Sequence, residues 1–249
     1  MPASFWSKVL QGVRESHPGA WFLGEMIHGD YAAYASDSGL DSITQYELWK
    51  AIWSSLNDRN FFELAWALDR HNQVLDAVMP QTFTGNHDVS RLASLLTDER
   101  HVGHALAVLL AAGGIPSIYY GDEQAFRGIK EQRAGGDDEI RPAFPASPAE
   151  LAPDGWRVYR LHQRLIGFRR RHPWLVRART SVQHLTNQAI AFQAAADDAG
   201  ILVLLNAGDT ALRFPVDVTG FAVAQTPDPG ARPDDPALVP GHSWVILSS

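Results

Sequence analysis

The chain reads as an α/β protein in which parallel strands alternate with helices in the manner of a barrel, followed by a small antiparallel β domain. Three observations carry that reading. Apolar runs at 20–24, 78–83 and 115–120 each end in carboxylates: Glu25, then Asp88 within Asn86-His87-Asp88, then Asp122-Glu123. Helical periodicity fills the stretches between them, and beyond His172-Pro173 the pattern shifts to period-2 alternation. Charged groups at the carboxyl ends of parallel strands belong where such folds place their chemistry, whereas in mid-strand they would be misplaced.

The elements follow in order. Phe5, Trp6, Val9, Leu10 and Val13 recur at helical spacing, with Ser4 available as a cap, until His17-Pro18-Gly19. The run 20–27 is apolar without alternation, as expected of a parallel strand covered on both faces. Residues 29–39, small and aromatic, read as loop, and 40–46 as a short strand. Leu48, Ile52, Trp53 and Leu56 form a helical stripe, and Asn60 with Glu63 reads as a capping pair that opens another helix. After the strand at 78–83, a helix is expected to start near Ser90. The clearest periodicity is Val102, Ala105, Leu106, Leu109 and Leu110, stopped by Gly113-Gly114. The strand at 115–120 leads into a Gly-, Pro- and Asp-rich loop, 121–153. Val158, Leu161, Leu165 and Phe168 mark the last helix, and Arg169-Arg170-Arg171 reads as its solvated end, favoured by the helix dipole. In the tail, 189–193, 201–205, the alternating Leu212, Phe214, Val216 and Val218, and 244–247 read as strands, with a loop over 226–240. The expected domains are therefore 1–172 and 173–249.

Composition narrows the function. A chain of 249 residues, 45% hydrophobic and 20% charged, suffices for one large domain or two of ordinary size, and contains no run near the roughly 18 apolar residues a membrane span needs. The net charge of −7, from 28 acidic and 21 basic residues, argues against nucleic acid and suits a neutral partner. With no cysteine, thiolate catalysis, disulfides and cysteine-ligated zinc are excluded. Asp137-Asp138-Glu139 fits no calcium loop, so no metal or cofactor is expected. The amino terminus lacks the basic start and apolar core of a signal peptide, and a cytoplasmic setting is the working expectation. A phosphate-binding barrel is disfavoured, because the last two strand ends carry Asp88, Asp122 and Glu123, which repel an anion.

At this point the motifs match a known family. Leu23-Gly24-Glu25, 83–88 and 114–123 resemble, in order and spacing, the segments after the fifth and seventh strands and the eighth strand of the α-amylase family of glycoside hydrolases. The resemblance runs from the first helix to the last strand. It implies strands five to eight of a (β/α)8 barrel followed by an antiparallel β domain. It also implies action on an α-glucan or maltooligosaccharide, by hydrolysis or transglycosylation. Glu25 would be the general acid. Asp88 would stay ionised and stabilise the oxocarbenium-like transition state, while His87, with Asn86 beside it, would hold sugar hydroxyls. Trp21, Phe22 and Leu23 would provide the apolar surroundings that keep an acid protonated. Tyr31, Tyr34 and Trp49 are candidates for stacking on sugar rings.

The resemblance does not span the whole family pattern. Strands one to four would precede Met1, and with them the nucleophilic Asp, a neighbouring Arg and a His; a sequence like Pro2-Ala3-Ser4-Phe5-Trp6 follows that nucleophile in the family. The chain on its own is therefore expected to be inactive, and to form a homodimer through exposed barrel edges. The alternative is a non-catalytic chain that binds glucan or assembles with a partner.

Overall fold

The computed structural model describes residues 1–231 and 233–249. The opening stripe folds as α1 (Ala3–Ser16), with Pro2 rather than Ser4 at the N-cap position. Of the run 20–27, only β1 (Leu23–Gly24) is strand. It has a single parallel neighbour among the described residues, and Trp21, Leu23 and Ile27 are 52%, 37% and 45% exposed, so the expected covering of both faces does not form. The stretch expected as loop contains α2 (Tyr31–Ser38). Asp30 starts it by accepting from the Ala33 amide at 3.0 Å, and Gly39 stops it with a left-handed φ of 73°.

β2 (Ser42–Ile43) leads into α3 (Tyr46–Asn57), and α4 (Phe61–Ala77) follows. The expected Asn60/Glu63 capping pair does not form. Glu63 instead ion-pairs with Lys50 and accepts from Ser54 Oγ at 2.8 Å, since charge-assisted partners on α3 outcompete a cap. β3 (Gln81–Phe83) pairs with α3's preceding segment through a parallel bridge between Thr44 and Gln81. After α5 (Leu92–Leu95) and a short 3-10 turn, Glu99–His101, comes α6 (Val102–Ala111), every residue of which is buried. A helix apolar all round must be enclosed, and α6 lies among α3, α7 (Gly155–Arg171) and the C-terminal sheet. β4 (Ile115–Ser117) pairs parallel with β3, so the four short strands lie side by side in chain order with their carboxyl ends together.

At the end of α7, Arg170 and Arg171 are exposed as expected, but Arg169 turns inward. Its half-buried guanidinium donates to the carbonyls of Leu110 (3.1 Å) and Ala112 (2.6 Å), at the end of α6, and of Gly114 (2.6 Å) just beyond it, and burial pulls its pKa down to about 10.

The tail contains β5 (Arg179–Leu185), β6 (Ala189–Ala196), β7 (Ala199–Asn206), β8 (Leu212–Arg213), β9 (Ala222–Gln225), β10 (Leu238–Val239) and β11 (Ser243–Ser248). Five of them form an antiparallel sheet in the order β5-β6-β7-β11-β9. Along β7 the period-2 rule divides the side chains. Ile201, Val203 and Leu205 join the core that the helices share, and Leu202 and Leu204 join a second core with Phe214 and Val239. The alternating run at 212–218 yields only two residues of strand, paired with β10, because Pro215 has no amide for a ladder; Phe214 is buried in the second core all the same. The expected loop 226–240 thus holds β10, and its residue 232 lies outside the described residues. No described helix is long and apolar enough to cross a membrane.

Candidate active site

The carboxyl ends of the four parallel strands open on a cleft of about 300 Å³, lined among others by Glu25, Thr44, Asn86, His87 and Tyr119. A larger groove of about 620 Å³ lies against the C-terminal sheet, but it carries no pairing of carboxylate and imidazole. Strand-end side chains are what parallel sheets offer to ligands, and here they are joined by hydrogen bonds. Tyr46, at the start of α3, donates its hydroxyl to Glu25 Oε1 at 2.9 Å and accepts from Asn86 Nδ2 at 2.8 Å. Asn86 Oδ1 accepts in turn from the Asp88 amide at 2.8 Å. The chain Glu25–Tyr46–Asn86–Asp88 therefore spans from the end of β1 to the end of β3.

Tyr46 was not singled out in the sequence, where it only ends the short expected strand 40–46, a stretch of mixed polarity. It is buried, with its ring edge-on to Phe83 (4.9 Å) and Trp49 (5.8 Å). Burial, reinforced by Glu25 and opposed by the Asn86 bond, pushes its pKa well above the ordinary tyrosine value, so it remains a neutral donor. Glu25 itself is exposed along with Trp21 and Leu23, and the apolar surroundings expected around it do not form.

Asp88 lies at the cleft's margin, and its carboxylate ion-pairs with Lys130 from the long loop. That loop is fastened to the Asn86-to-Ser94 segment by several bonds. Lys130 N donates to Ser90 Oγ at 2.9 Å, Gly128 N to Ser94 Oγ at 2.9 Å, Arg91 N to Gly128 O at 2.9 Å, and Arg141 Nε to His87 O at 2.8 Å. Arg141 is itself paired with Asp137 at 2.7 Å, so the acidic run balances the loop's own cations.

Asp122 and Arg91 support the site from behind. Arg91 is fully buried, donates to Asp122 Oδ1 at 2.9 Å and Tyr120 O at 2.6 Å, and lies over the Tyr119 and Tyr120 rings. Burial raises the Asp122 pKa to about 6, although Arg91 pulls the other way. Gly85 passes so close that a Cβ there would be 2.3 Å from Asp122 Oδ2, which explains a glycine immediately before Asn86-His87-Asp88.

The structure thus brings Glu25, Asn86 and His87 together in one cleft and sets Asp88 next to it. Asn86 lines the cleft, yet both ends of its amide are engaged within the protein. Of the proposed stacking residues, Tyr31 is buried with its hydroxyl on Ile27 O at 2.8 Å, Tyr34 is half-buried and bonds Met1 O at 2.8 Å, and Trp49, also half-buried, packs on Trp53 and Phe83.

Comparison with known proteins adds an independent line. A family model described as Alpha amylase, catalytic domain, matches residues 2–201. A cyclomaltodextrin glucanotransferase of Bacillus sp. (strain 1-1) is 28% identical over 217 residues, covering 82% of this chain and 29% of that protein. Alpha-amylase 2 of Schizosaccharomyces pombe is 33% identical over 129 residues, covering 50% of this chain and 22% of that protein. Among solved structures, an α-amylase from H. orenii superposes with a TM-score of 0.80 at 20% identity over 99% of this chain and 57% of that one. An α-amylase from Geobacillus thermoleovorans, complexed with acarbose, gives 0.78 at 18% over 100% and 57%. At such identities the superpositions speak for the fold alone. The chain spans less than a third of the length of the curated relatives it matches.

Proposed function

This chain belongs to the α-amylase family of catalytic domains, and from that membership we propose that it serves retaining chemistry on α-glucans, as hydrolase or transglycosidase, with Glu25 as the general acid. The observation that carries the reading is the hydrogen-bond chain Glu25–Tyr46–Asn86–Asp88 across the carboxyl ends of neighbouring parallel strands, beside a cleft. In this reading β1 to β4 are the fifth to eighth strands of a (β/α)8 barrel, residues 1–172 are its catalytic part, and 173–249 are a β domain sharing its core. His87, exposed at the rim, binds a sugar hydroxyl, and Asp88 stabilises positive charge developing on the ring.

A retaining mechanism needs a second carboxylate about 5–5.5 Å from the acid. Glu25 is the one carboxylate among the described residues that line the cleft, so we expect the 249 residues alone not to turn over maltooligosaccharides. The Lys130–Asp88 pair favours a second reading, a chain that binds glucan without cleaving it or that assembles with a partner. The exposed edge of β1, flanked by Trp21 and Ile27, supports association into a homodimer.

The acid assignment is tested in a chimaera that places the first four strands of an α-amylase ahead of this chain. Glu25→Gln should slow glucan cleavage by about 10²–10⁴-fold while sparing glycosylation from an aryl glycoside whose leaving group needs no proton. Equal slowing of both substrates would remove Glu25 from that role.

A further inference from the structure

We propose that Asp98, His101 and His242 form a binding site for one divalent transition-metal ion of zinc-like ligand preference, at the junction between the helices and the antiparallel sheet. The sequence points to no metal, because these residues are up to 144 positions apart; the fold brings their ligand atoms within 4.8 Å of one another. Asp98 caps the 3-10 turn before α6 and His101 is its last residue, and His242 sits in the turn between β10 and β11, held at a left-handed φ of 52°. None of them lines the cleft.

His101 Nε2 faces His242 Nδ1 at 3.0 Å, and Asp98 Oδ2 lies 3.7 Å from the same His242 nitrogen. Ligands about 2.0–2.1 Å from a tetrahedral zinc are roughly 3.3 Å apart, a value these two separations bracket, and the third pair lies within 4.8 Å. The other nitrogen of His242, Nε2, is 2.8 Å from Asp209 Oδ1 and donates to it, since a carboxylate only accepts. That leaves Nδ1 unprotonated, with its lone pair aimed at His101 Nε2, from which it accepts without metal, and a carboxylate behind a ligating imidazole is what orients such ligands. Arg59 holds Asp209 in place at 3.1 Å.

Without metal, His101 Nε2 carries the proton and donates it to His242 Nδ1. On binding, the ion takes that position and the proton moves to His101 Nδ1, which is buried with no partner among the described residues, so no net proton is released. Arg100 bonds both oxygens of Asp98, at 2.9 Å through Nε to Oδ1 and at 2.6 Å through Nη2 to Oδ2; it can keep Oδ1 while Oδ2 turns to the ion. Two arginines and two aspartates balance at the cluster, so it is the imidazole pair that selects the ion, favouring zinc, copper or nickel over calcium.

The test titrates the metal-stripped 249-residue chain with Zn²⁺ against a chromophoric chelator and follows thermal melting. One equivalent should bind and raise Tm. Asp209→Asn should weaken binding by about 10–100-fold, and His242→Gln should abolish it. Circular dichroism checks the fold of His242→Gln, and Asp209→Asn, whose side chain is 70% exposed, carries the comparison if that variant unfolds. Failure of the folded wild type to bind micromolar zinc, or binding undiminished in both variants, would show that the cluster is only a hydrogen-bonded staple.

Discussion

Acidification should destabilise this protein through a histidine that no catalytic reading involves. His71, on α4, is fully buried; its Nε2 lies 3.1 Å from Gly113 O and its Nδ1 3.3 Å from Gln45 Nε2. A carbonyl only accepts, so Nε2 carries the proton and Nδ1 accepts from the Gln45 amide: the ring is neutral, and protonating Nδ1 would set two donors face to face. Burial is the largest cause holding its pKa down at about 4, against an ordinary 6.5, with Arg179 and Arg169 adding to the effect. For a base depressed on folding, the stabilising contribution is fully present above the unfolded value and is lost as pH falls through the window from 6.5 to about 4. At pH 5 the unfolded chain has bound nearly the whole proton and the native chain almost none, a loss of about 2 kcal/mol, rising to roughly 3 kcal/mol at pH 4. Against a total stability of about 5–15 kcal/mol this is a large share.

Urea unfolding of wild type and His71→Gln at pH 7 and pH 5 isolates the effect. His104, whose pKa burial lowers to about 3, acts in the same direction, and Asp122, raised to about 6, acts oppositely by losing stability as pH rises from 3.8 towards 6; both are present in the two proteins and cancel. The stability difference between wild type and variant should move by about 2 kcal/mol in the variant's favour on going to pH 5. A difference that stays constant with pH would refute the burial of a neutral His71.

Two further outcomes concern the cleft. Tyr46→Phe removes a donor to Glu25 and an acceptor for Asn86, and should cost about 2 kcal/mol of stability in urea unfolding while weakening maltooligosaccharide binding in a calorimetric titration. Gly85→Ala should destabilise by about 1–3 kcal/mol, because its Cβ collides with Asp122 Oδ2, and the added cost should largely vanish when Asp122→Ala makes room; equal costs in both backgrounds would exclude the collision.

Much of the candidate site was legible in the chain because its signal is local. An apolar run closed by a carboxylate or an imidazole declares itself within ten residues, and Glu25, Asn86 and His87 could be picked out that way. Tyr46 gives no such signal, since the residues before it, Asp41 to Gln45, are mostly polar and an aromatic at the start of a helix reads as packing. The long helices at 46–57, 61–77, 102–111 and 155–171 were legible too, because period 3.6 over three turns has no competing explanation. α2 was hidden by its composition of small and polar residues, which fit loop or helix equally until Asp30 and Gly39 are seen capping it.

What only the tertiary structure decided are the partners. Periodicity states which face of an element is apolar, but not what covers it: β1 has the composition of a doubly covered strand and lies at an edge, whereas Arg169 has the composition of a solvated helix end and turns inward onto three carbonyls. Lys130 on Asp88 is 42 residues distant, Arg91 on Asp122 is 31, and His101 and His242 are 141 apart. A hydrogen bond or ion pair depends on two groups meeting within about 3 Å, and no local pattern of residue types encodes that meeting. It follows from how the helices and the C-terminal sheet pack on their shared core.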